Sequence, residues 1–203
     1  MNTALFSGEL VRLTAEEPQV LADNIARWAR DSEYIRLTES DPAIPLTTKV
    51  TLKWIEKLQE QDPPKVYVFG IRTLDGDCLI GDVGLGGIRW AHGDCNLGIG
   101  LGDRQDWGKG YGTDAMRLIL RYAFTELNLQ RVSLDVYAYN PRAIRCYEKA
   151  GFVHEGRMRK LLNREGQHWD IIFMGILREE WEKSLPSAQG KGASPASPGL
   201  DEG

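Results

Sequence analysis

Hydrophobic and polar residues alternate along seven stretches of the chain, and this period of two predicts β-strands. The predicted strands cover residues 9–13, 65–72, 78–89, 96–102, 131–138, 152–162 and 169–177. Apolar residues at helical spacing predict four helices. The first begins at Pro18 and the second at Thr47 or Thr48, and the other two cover residues 113–127 and 140–150. Residues 32–46 are predicted to be irregular, because Pro42 and Pro45 cannot donate helical hydrogen bonds.

The turns and crossovers between these elements indicate how the strands are arranged. Asp75-Gly76 and Gly93-Asp94 predict tight turns, so residues 65–102 should form an antiparallel meander of three strands. A helix separates strand 96–102 from strand 131–138, and such a crossover predicts a parallel pair. Residues 163–166 predict a final hairpin turn. The fold class is therefore α/β (α+β), with a mixed and mostly antiparallel sheet.

The composition is that of one ordinary globular domain followed by a tail. The 203 residues are 42% hydrophobic and 27% charged, close to the average for soluble proteins. Residues 1–183 carry the regular patterns, whereas residues 184–203 are rich in Pro, Gly and Ser and are expected to be disordered. A net charge of −4 offers no basic face for nucleic acid. No leader peptide and no apolar run of about 18 residues is present, so no membrane association is expected.

The cysteine pattern limits the chemistry further. Cys78, Cys95 and Cys146 form no CxxC pair, and the chain has only three histidines. No metal-ligand cluster is visible, so no metal is expected. Free thiols in odd number favour a cytoplasmic location.

The sequence QDWGKGYG, residues 105–112, joins a predicted strand to the helix at 113–127. Gly108, Gly110 and Gly112 let the chain turn sharply and approach a ligand closely. The first N–H groups of a helix have no partner within the helix and lie at its positive end. This arrangement predicts a site for a phosphate or pyrophosphate.

Two neighbouring strands are predicted to present glycine along one face. The glycines recur at every second position, at Gly84, Gly86, Gly98, Gly100 and Gly102. Asp82 lies on the same face, and so does Asn96 unless a bulge shifts the register. A glycine face suits a slender ligand that bonds to the main chain, although close packing of a helix explains the pattern as well.

A second motif is NPRAIRCYEKAGF, residues 140–152. Asn140 and Tyr147 are seven residues apart, so they share a helix face with the small Ala143 between them. An amide and a phenol in this arrangement predict a place to position a ligand and move a proton. Helix capping by Asn140 and core packing by Tyr147 remain alternatives. The outer face is expected to be solvated surface, formed by Arg145, Glu148 and Lys149.

Together the two motifs resemble the GNAT N-acetyltransferase superfamily. Gln105-x-x-Gly108-x-Gly110 matches its pyrophosphate loop, and residues 140–152 are similar to its N-x-x-A-x-x-x-Y-x-x-x-G-F segment. Within it, the chain is most similar to the RimJ/RimL-like branch of ribosomal-protein N-acetyltransferases, and spermidine acetyltransferases are close relatives. The resemblance implies a sheet of about seven strands flanked by helices. The fourth and fifth strands should splay apart around the pantetheine arm of acetyl-CoA.

The resemblance also implies which residues bind acetyl-CoA. The backbone at Leu101 and Gly102 would pair with the pantetheine arm, and N–H groups of residues 108–113 would hold the pyrophosphate. Arg104, Lys109 or Arg142 would meet phosphate oxygens unless they are solvated surface. The implied binding set is Leu101, Gly102, Gln105, Gly108, Lys109, Gly110, Tyr111, Gly112, Thr113, Asn140, Arg142, Ala143 and Tyr147.

The implied reaction is direct attack of a primary amine on the thioester. The attacking amine must be neutral, and its conjugate acid has a pKa of about 8 to 10, so a base is needed. A backbone N–H on the glycine strand would stabilise the oxyanion. Tyr147 is the expected acid for the leaving thiolate, and Asn140 belongs to the same catalytic set.

The base is where this chain departs from the superfamily. Many relatives carry Glu where this chain has Asn96, and an amide takes no proton at neutral pH. The base must then come from elsewhere or be bulk water along a relay. Asp82 is the best replacement, with Glu39 and His92 as weaker candidates. Asn96 keeps a place in the expected catalytic set because of its position.

Other functions fit less well. The glycines are not spaced GxGxxG, which argues against a Rossmann site, and no GK[ST] follows them, which argues against a P-loop. Cys146 has no neighbouring His, which argues against cysteine catalysis. A non-catalytic acyl-CoA-binding module is the rival from another class. The expected acceptor is a protein N-terminus, and a polyamine or aminoglycoside-like amine is the alternative, favoured by acidic Glu33, Glu39 and Asp41. Residues 32–46 and 158–168 are expected to contact the acceptor, and a homodimer is compatible with the resemblance.

Overall fold

The computed structural model describes residues 5–60 and 64–185. Its strands are β1 (Val11–Thr14), β2 (Tyr67–Thr73), β3 (Leu79–Arg89), β4 (Asp94–Leu101), β5 (Arg131–Tyr137), β6 (Val153–Arg164) and β7 (Gln167–Leu177). Its α-helices are α1 (Pro18–Trp28), α2 (Ser32–Thr38), α3 (Thr48–Gln59), α4 (Tyr111–Thr125), α5 (Pro141–Ala150) and α6 (Arg178–Ser184). Each strand and each of the four helices predicted from the sequence is present, with ends shifted by one or two residues.

The strands form one sheet in the order β1-β2-β3-β4-β5-β7-β6. Neighbouring strands are antiparallel except for β4 and β5, which are parallel. The parallel pairing joins residues 94–96 to residues 131–133 and goes no further, so the two strands separate beyond Asn96. The mixed sheet and the splay between its fourth and fifth strands are thus confirmed.

Helices cover the two faces of the sheet differently. One face packs against α4 and α5 in the main core, whose fully buried members include Val83, Leu85, Met116, Ile119 and Phe124. Helices α1, α2 and α3 cover the other face through smaller clusters around Trp28 and Leu21. Since Val83 and Leu85 enter the main core, the alternate residues of β3 face α1–α3. The glycine face therefore lies on the α1–α3 side.

Helix α2 corrects the expectation that residues 32–46 are irregular. Pro42 and Pro45 restrict only the residues after Thr38, where α2 ends. Asp31 caps its start, because the Asp31 carboxylate accepts a hydrogen bond from the N–H of Glu33 (3.0 Å). The helix brings Tyr34 over β4, a position that no local pattern predicted.

Helix α6 was not predicted from the sequence. The disordered tail was expected to start at residue 184, which is the last residue of this helix. Trp181 packs on Phe124 with ring centroids 5.3 Å apart, and Arg178 donates to the side-chain oxygen of Asn128 (2.8 Å). The remainder of the predicted tail, residues 186–203, lies outside the described residues. None of the described helices is long and apolar enough to cross a membrane.

Helix α5 begins and ends as its sequence predicts. Asn140 caps it by accepting a hydrogen bond from the N–H of Ala143 (3.1 Å), and Pro141 occupies its first position. Gly151 follows the last turn with φ of +100°, a conformation that favours glycine. These local choices fix the start of α5 next to the splay.

Candidate active site

A cavity of about 340 Å³ opens where β4 and β5 separate. Four elements form its walls: α2, the end of β4, the loop before α4, and α5. The lining from α2 and β4 comprises Tyr34, Leu37, Thr38, Ile99, Gly100 and Leu101. Because β5 leaves the edge of β4 unpaired beyond Asn96, main-chain groups of β4 are available to a ligand there.

The glycine loop reaches this cavity with Gly108 and Gly110, and the first turn of α4 reaches it with Gly112 and Thr113. Gly108 and Gly110 have φ of +77° and +94°, which explains why glycine is needed at both positions. Helix α4 starts at Tyr111, and the N–H groups of its first residues have no acceptor within the helix. The loop and the start of α4 therefore present unpaired N–H groups at the cavity, and the anion site stays a prediction.

Four residues that the resemblance placed near acetyl-CoA lie outside the cavity lining, namely Arg104, Gln105, Lys109 and Tyr111. Arg104 is held by the carboxylate of Asp31 (2.6 Å), and Lys109 lies 3.5 Å from that of Asp106. Gln105 belongs to a short 3₁₀ helix, and Tyr111 packs against the main core. Their side chains therefore do not contact the cavity in this structure.

Helix α5 supplies a wall of positive charge instead. Arg142, Arg145 and Lys149 all line the cavity, and Arg145 and Lys149 are exposed, in agreement with the solvated surface expected there. The Arg142 guanidinium lies 3.8 Å from the ring centroid of Trp107, and burial lowers its pKa. Trp107 is held in turn because its indole N–H donates to the carbonyl of Leu101 (2.8 Å). Trp107 lines the cavity too, although no motif had marked it as a site residue.

The contacts of Gly102 differ from those expected for a residue that pairs with the pantetheine arm. Its N–H already donates to the carbonyl of Ile80 (2.9 Å). A Cβ at this position would lie 2.1 Å from the ring of Trp28, so close packing explains the glycine. Leu101 lines the cavity, but its carbonyl is bonded to Trp107. The edge of β4 at the cavity is therefore formed by Ile99, Gly100 and Leu101, with the Leu101 carbonyl already bonded.

Asn140, Ala143 and Tyr147 share the α5 wall of the cavity, as their spacing predicts. Asn140 and Tyr147 are each only 8% exposed. Burial raises the pKa of Tyr147, with smaller effects from Cys146 and Asp135, so the phenol stays protonated near neutral pH. Cys146 lies beside it, and burial raises the pKa of that thiol, which disfavours a nucleophilic thiolate.

The glycine face has the register that the sequence predicts. Gly84 pairs with Gly98, Gly86 pairs with Asn96, and Asp82 pairs with Gly100, with no bulge between them. A Cβ at Gly98 would meet nothing within 4 Å, whereas one at Gly100 would lie 3.1 Å from the hydroxyl of Tyr34. The face is thus open at Gly98 and covered by α2 at Gly100.

Asp82 is the titratable group at this covered end. Burial, followed by the negative charge of Glu39, raises the pKa of Asp82 to about 7. The pKa of Glu39 is also raised, mainly by burial, and that of Tyr34 is raised by burial and by both carboxylates. Asp82 does not line the cavity itself, but Gly100, its strand partner, and Tyr34 do.

Asn96 and His92 lie farther from the cavity. Asn96 pairs with Ser133 in the part of β4 that is still bonded to β5, and it is exposed. His92 belongs to the turn between β3 and β4, beyond Asn96 from the splay. The structure therefore brings Asp82 and Glu39 to the cavity end of the sheet and leaves His92 apart from them.

The hairpin between β6 and β7 closes over the end of α2. Arg164 donates to the backbone carbonyls of Glu39 and Ser40 (2.8 and 2.9 Å), and Arg36 pairs with Glu165 (2.7 Å). The two segments expected to contact the acceptor are thus in contact with each other. In the described part of the chain, no group of three His, Cys, Asp or Glu side chains could hold a metal ion.

Comparison with known proteins agrees with this geometry. The chain is 30% identical over 190 residues to the SPbeta prophage-derived uncharacterized N-acetyltransferase YokL of Bacillus subtilis, covering 90% of this chain and 98% of YokL. It is 34% identical over 103 residues to the spermidine N(1)-acetyltransferase of Vibrio cholerae, covering 51% of this chain and 59% of that protein.

A solved structure has the same fold, that of spermidine N-acetyltransferase from Vibrio cholerae in complex with CoA and spermine. Its TM-score is 0.75 at 24% identity, over 85% of this chain and 98% of that one. The model of the acetyltransferase (GNAT) domain family matches residues 10–153. The chain therefore belongs to the GNAT family and is an acyl-CoA-dependent N-acetyltransferase that uses acetyl-CoA.

Proposed function

We propose that this N-acetyltransferase acetylates a primary amine in one direct step at the splay, with Tyr147 as the acid and Asp82 as the base. The observation that carries the proposal is the cavity between β4 and β5, which has Tyr147 in its wall and the glycine loop at its rim. Acetyl-CoA supplies an activated acetyl thioester.

The residues around the cavity fit acetyl-CoA. The N–H groups at the start of α4 and the cations Arg142, Arg145 and Lys149 suit a pyrophosphate and its charge. The unpaired edge of β4 at residues 99–101 suits the amides of the pantetheine arm. Gly112 keeps this wall of the cavity open, because a Cβ there would lie 3.4 Å from the sulfur of Cys146, which also lines the cavity.

The two titratable groups have the protonation states that the reaction needs. The reaction forms a nitrogen–carbon bond and breaks the carbon–sulfur bond, so the amine loses a proton and the thiolate gains one. Asp82, with a pKa of about 7, is partly ionised at neutral pH and takes the amine proton through water, because it lies behind Gly100 and Tyr34. Tyr147, with its raised pKa, keeps a proton to give to the thiolate.

The acceptor is the finer part of the proposal. The protein N-terminus expected from the sequence would place the chain in the RimJ/RimL-like branch, whereas the relative from Vibrio cholerae is named for spermidine. Asp82 and Glu39 give the acceptor side of the sheet negative charge, which favours a positively charged small amine. We therefore rank the small amine first and the protein N-terminus second.

A thiol-release assay with a panel of amines and N-terminal peptides tests this function, and Tyr147→Phe is the informative variant. We expect turnover to fall by about 10²-fold or more, because a general acid contributes that much. Acetyl-CoA affinity, measured by calorimetry, should stay within about twofold. Thr125→Ala is the control, because Thr125 lies at the far end of α4, where its hydroxyl donates to the carbonyl of Arg121. Unchanged turnover in Tyr147→Phe would remove Tyr147 from the mechanism, and no turnover by the wild type would favour a non-catalytic acyl-CoA-binding module.

A further inference from the structure

Trp107 lines the cavity, yet the proposed reaction assigns it no role. It lies in the glycine loop, directly before Gly108. Two hydrogen bonds fix its position. Its main-chain N–H donates to the carbonyl of Arg104 (3.1 Å), and its indole N–H donates to the carbonyl of Leu101 (2.8 Å). The indole is therefore anchored to the end of β4, on one side of the splay.

The guanidinium of Arg142 lies over this indole from the other side of the cavity, where α5 begins. Its central carbon is 3.8 Å from the centroid of the Trp107 ring, which is the distance of a stacked contact. A guanidinium that rests on a ring with its flat face keeps the N–H groups at its edge free to donate. Trp107 thus restricts the orientation of Arg142 without using its hydrogen-bond donors.

Arg142 has no protein counter-ion in residues 5–60 and 64–185, where no Asp or Glu forms an ion pair with it. Glu33 acts on the charge of Arg142, but it is already paired with Arg104 (2.5 Å). Burial lowers the pKa of Arg142, and the positive charges of Arg104 and Arg145 act in the same direction. A half-buried cation among other cations is unfavourable unless an anion enters from outside.

Building on the proposed function, we propose that Trp107 is a positioning residue whose indole holds the Arg142 guanidinium in the orientation that binds a phosphate group of acetyl-CoA. A guanidinium bonds a phosphate through two parallel N–H groups, so its orientation matters more than that of an ammonium group. A side chain that is already held in place also loses less entropy when the ligand binds. In this role Trp107 contacts neither the thioester nor the amine, so it sets the affinity for acetyl-CoA and leaves the chemical step unchanged.

The test compares acetyl-CoA with S-acetylpantetheine, which carries the same thioester and pantetheine arm but no phosphate. Trp107→Leu should weaken CoA binding, measured by calorimetry, by about tenfold and raise KM for acetyl-CoA equally. Its kcat, and its kcat/KM for S-acetylpantetheine, should stay within about twofold of the wild type. Trp107→Phe keeps a flat ring and should lose less. Trp90→Leu is the matched control, because it makes the same change at an exposed position outside the cavity lining and should keep full affinity.

Arg142→Gln separates this inference from the proposed function. It should weaken CoA binding as much as Trp107→Leu does, and the double variant should lose no more, because both changes remove one contact. If Arg142→Gln binds CoA like the wild type, the proposed fit of Arg142 to acetyl-CoA fails together with the inference.

Three results would overturn the role of Trp107 alone. The first is weaker CoA binding in Arg142→Gln with wild-type binding in Trp107→Leu. The second is an equal loss for acetyl-CoA and S-acetylpantetheine in Trp107→Leu, which would indicate general damage to the cavity. The third is additive losses in the double variant. If Trp107→Leu does not fold, Trp107→Phe decides by the same comparison of the two thioesters.

Discussion

Asp82 is the residue whose ionisation should control the rate near neutral pH. Burial and the negative charge of Glu39 raise the pKa of Asp82 to about 7. The charge of Asp82 in turn helps to raise the pKa of Tyr34. A base works only when ionised, so kcat/KM should rise as the pH passes through about 7. Asp82→Asn should abolish the rise centred near pH 7, leave the rise from the amine itself at about pH 8 to 10, and lower kcat/KM at pH 8 by about 10²-fold. Glu39→Gln should move the midpoint to lower pH. A wild-type pH profile in Asp82→Asn would exclude Asp82 as the base.

The same substitution should have the opposite effect on stability. The pKa of Asp82 lies well above its ordinary value of 3.8, so the folded chain binds this proton more tightly than the unfolded chain. Its stabilising contribution is complete below about pH 4 and is lost as the pH rises through about 7. Asp82→Asn cannot ionise, and at pH 8 its free energy of unfolding should exceed that of the wild type by about 1–2 kcal/mol. Urea denaturation at pH 5 and 8 measures this change.

Sequence reasoning at this scale succeeded where the placement of a side chain is local. Asn140 and Tyr147 share a wall of the cavity because helical spacing places them on one face, and that spacing is visible in the sequence. Tyr34 and Trp107 line the cavity but were not predicted as site residues. Tyr34 meets Gly100 across more than sixty residues of chain, and such a contact depends on how α2 packs on the sheet.

The glycine loop before α4 is the element on which cosubstrate binding depends, and the chain offers a matched pair of variants to test it. Gly108 and Gly76 have nearly equal φ, +77° and +76°, and a Cβ at either would have no close contact. Replacement by Ala should therefore cost each about 1 kcal/mol of stability from backbone strain. Of these two glycines, Gly108 lines the cavity and Gly76 does not. Gly108→Ala should therefore weaken acetyl-CoA binding, by about tenfold if one hydrogen bond to the cosubstrate is lost, whereas Gly76→Ala should not. Equal affinities in the two variants would show that the loop does not hold the cosubstrate.

Most elements could be predicted because their periodicity is strong, and the two α-helices that were missed are short. Helices α2 and α6 have only seven residues each, too few for a repeating pattern. Residues 32–46 were predicted to be irregular because of Pro42 and Pro45, although these prolines restrict only the second half of the segment. The order of the strands followed from turns and crossovers, whereas the end of pairing at Asn96 has no local sequence pattern.

On the scale of the molecule, the splay separates two regions of opposite charge. Arg142, Arg145 and Lys149 line it from α5, whereas Asp82 lies behind Gly100 and Tyr34, with the charge of Glu39 near it. A net charge of −4 hides this division, because it sums over both regions. The positive side of the splay suits an anionic cosubstrate.

Because acetyl-CoA would fill the gap between β4 and β5, its binding should stabilise the whole fold. At 100 times its Kd, a ligand that binds only the folded state adds about 2.7 kcal/mol, which should raise Tm by about 5–10 °C for a chain of this size. Hydrogen exchange should slow most at the end of β4 and in the first turn of α4, where N–H groups are unpaired. Gly108→Ala should show a smaller shift at the same ligand concentration, and Gly76→Ala the full one. An equal shift with NAD would show that the site accepts dinucleotides in general, and protection elsewhere in the sheet would place the cosubstrate outside the splay.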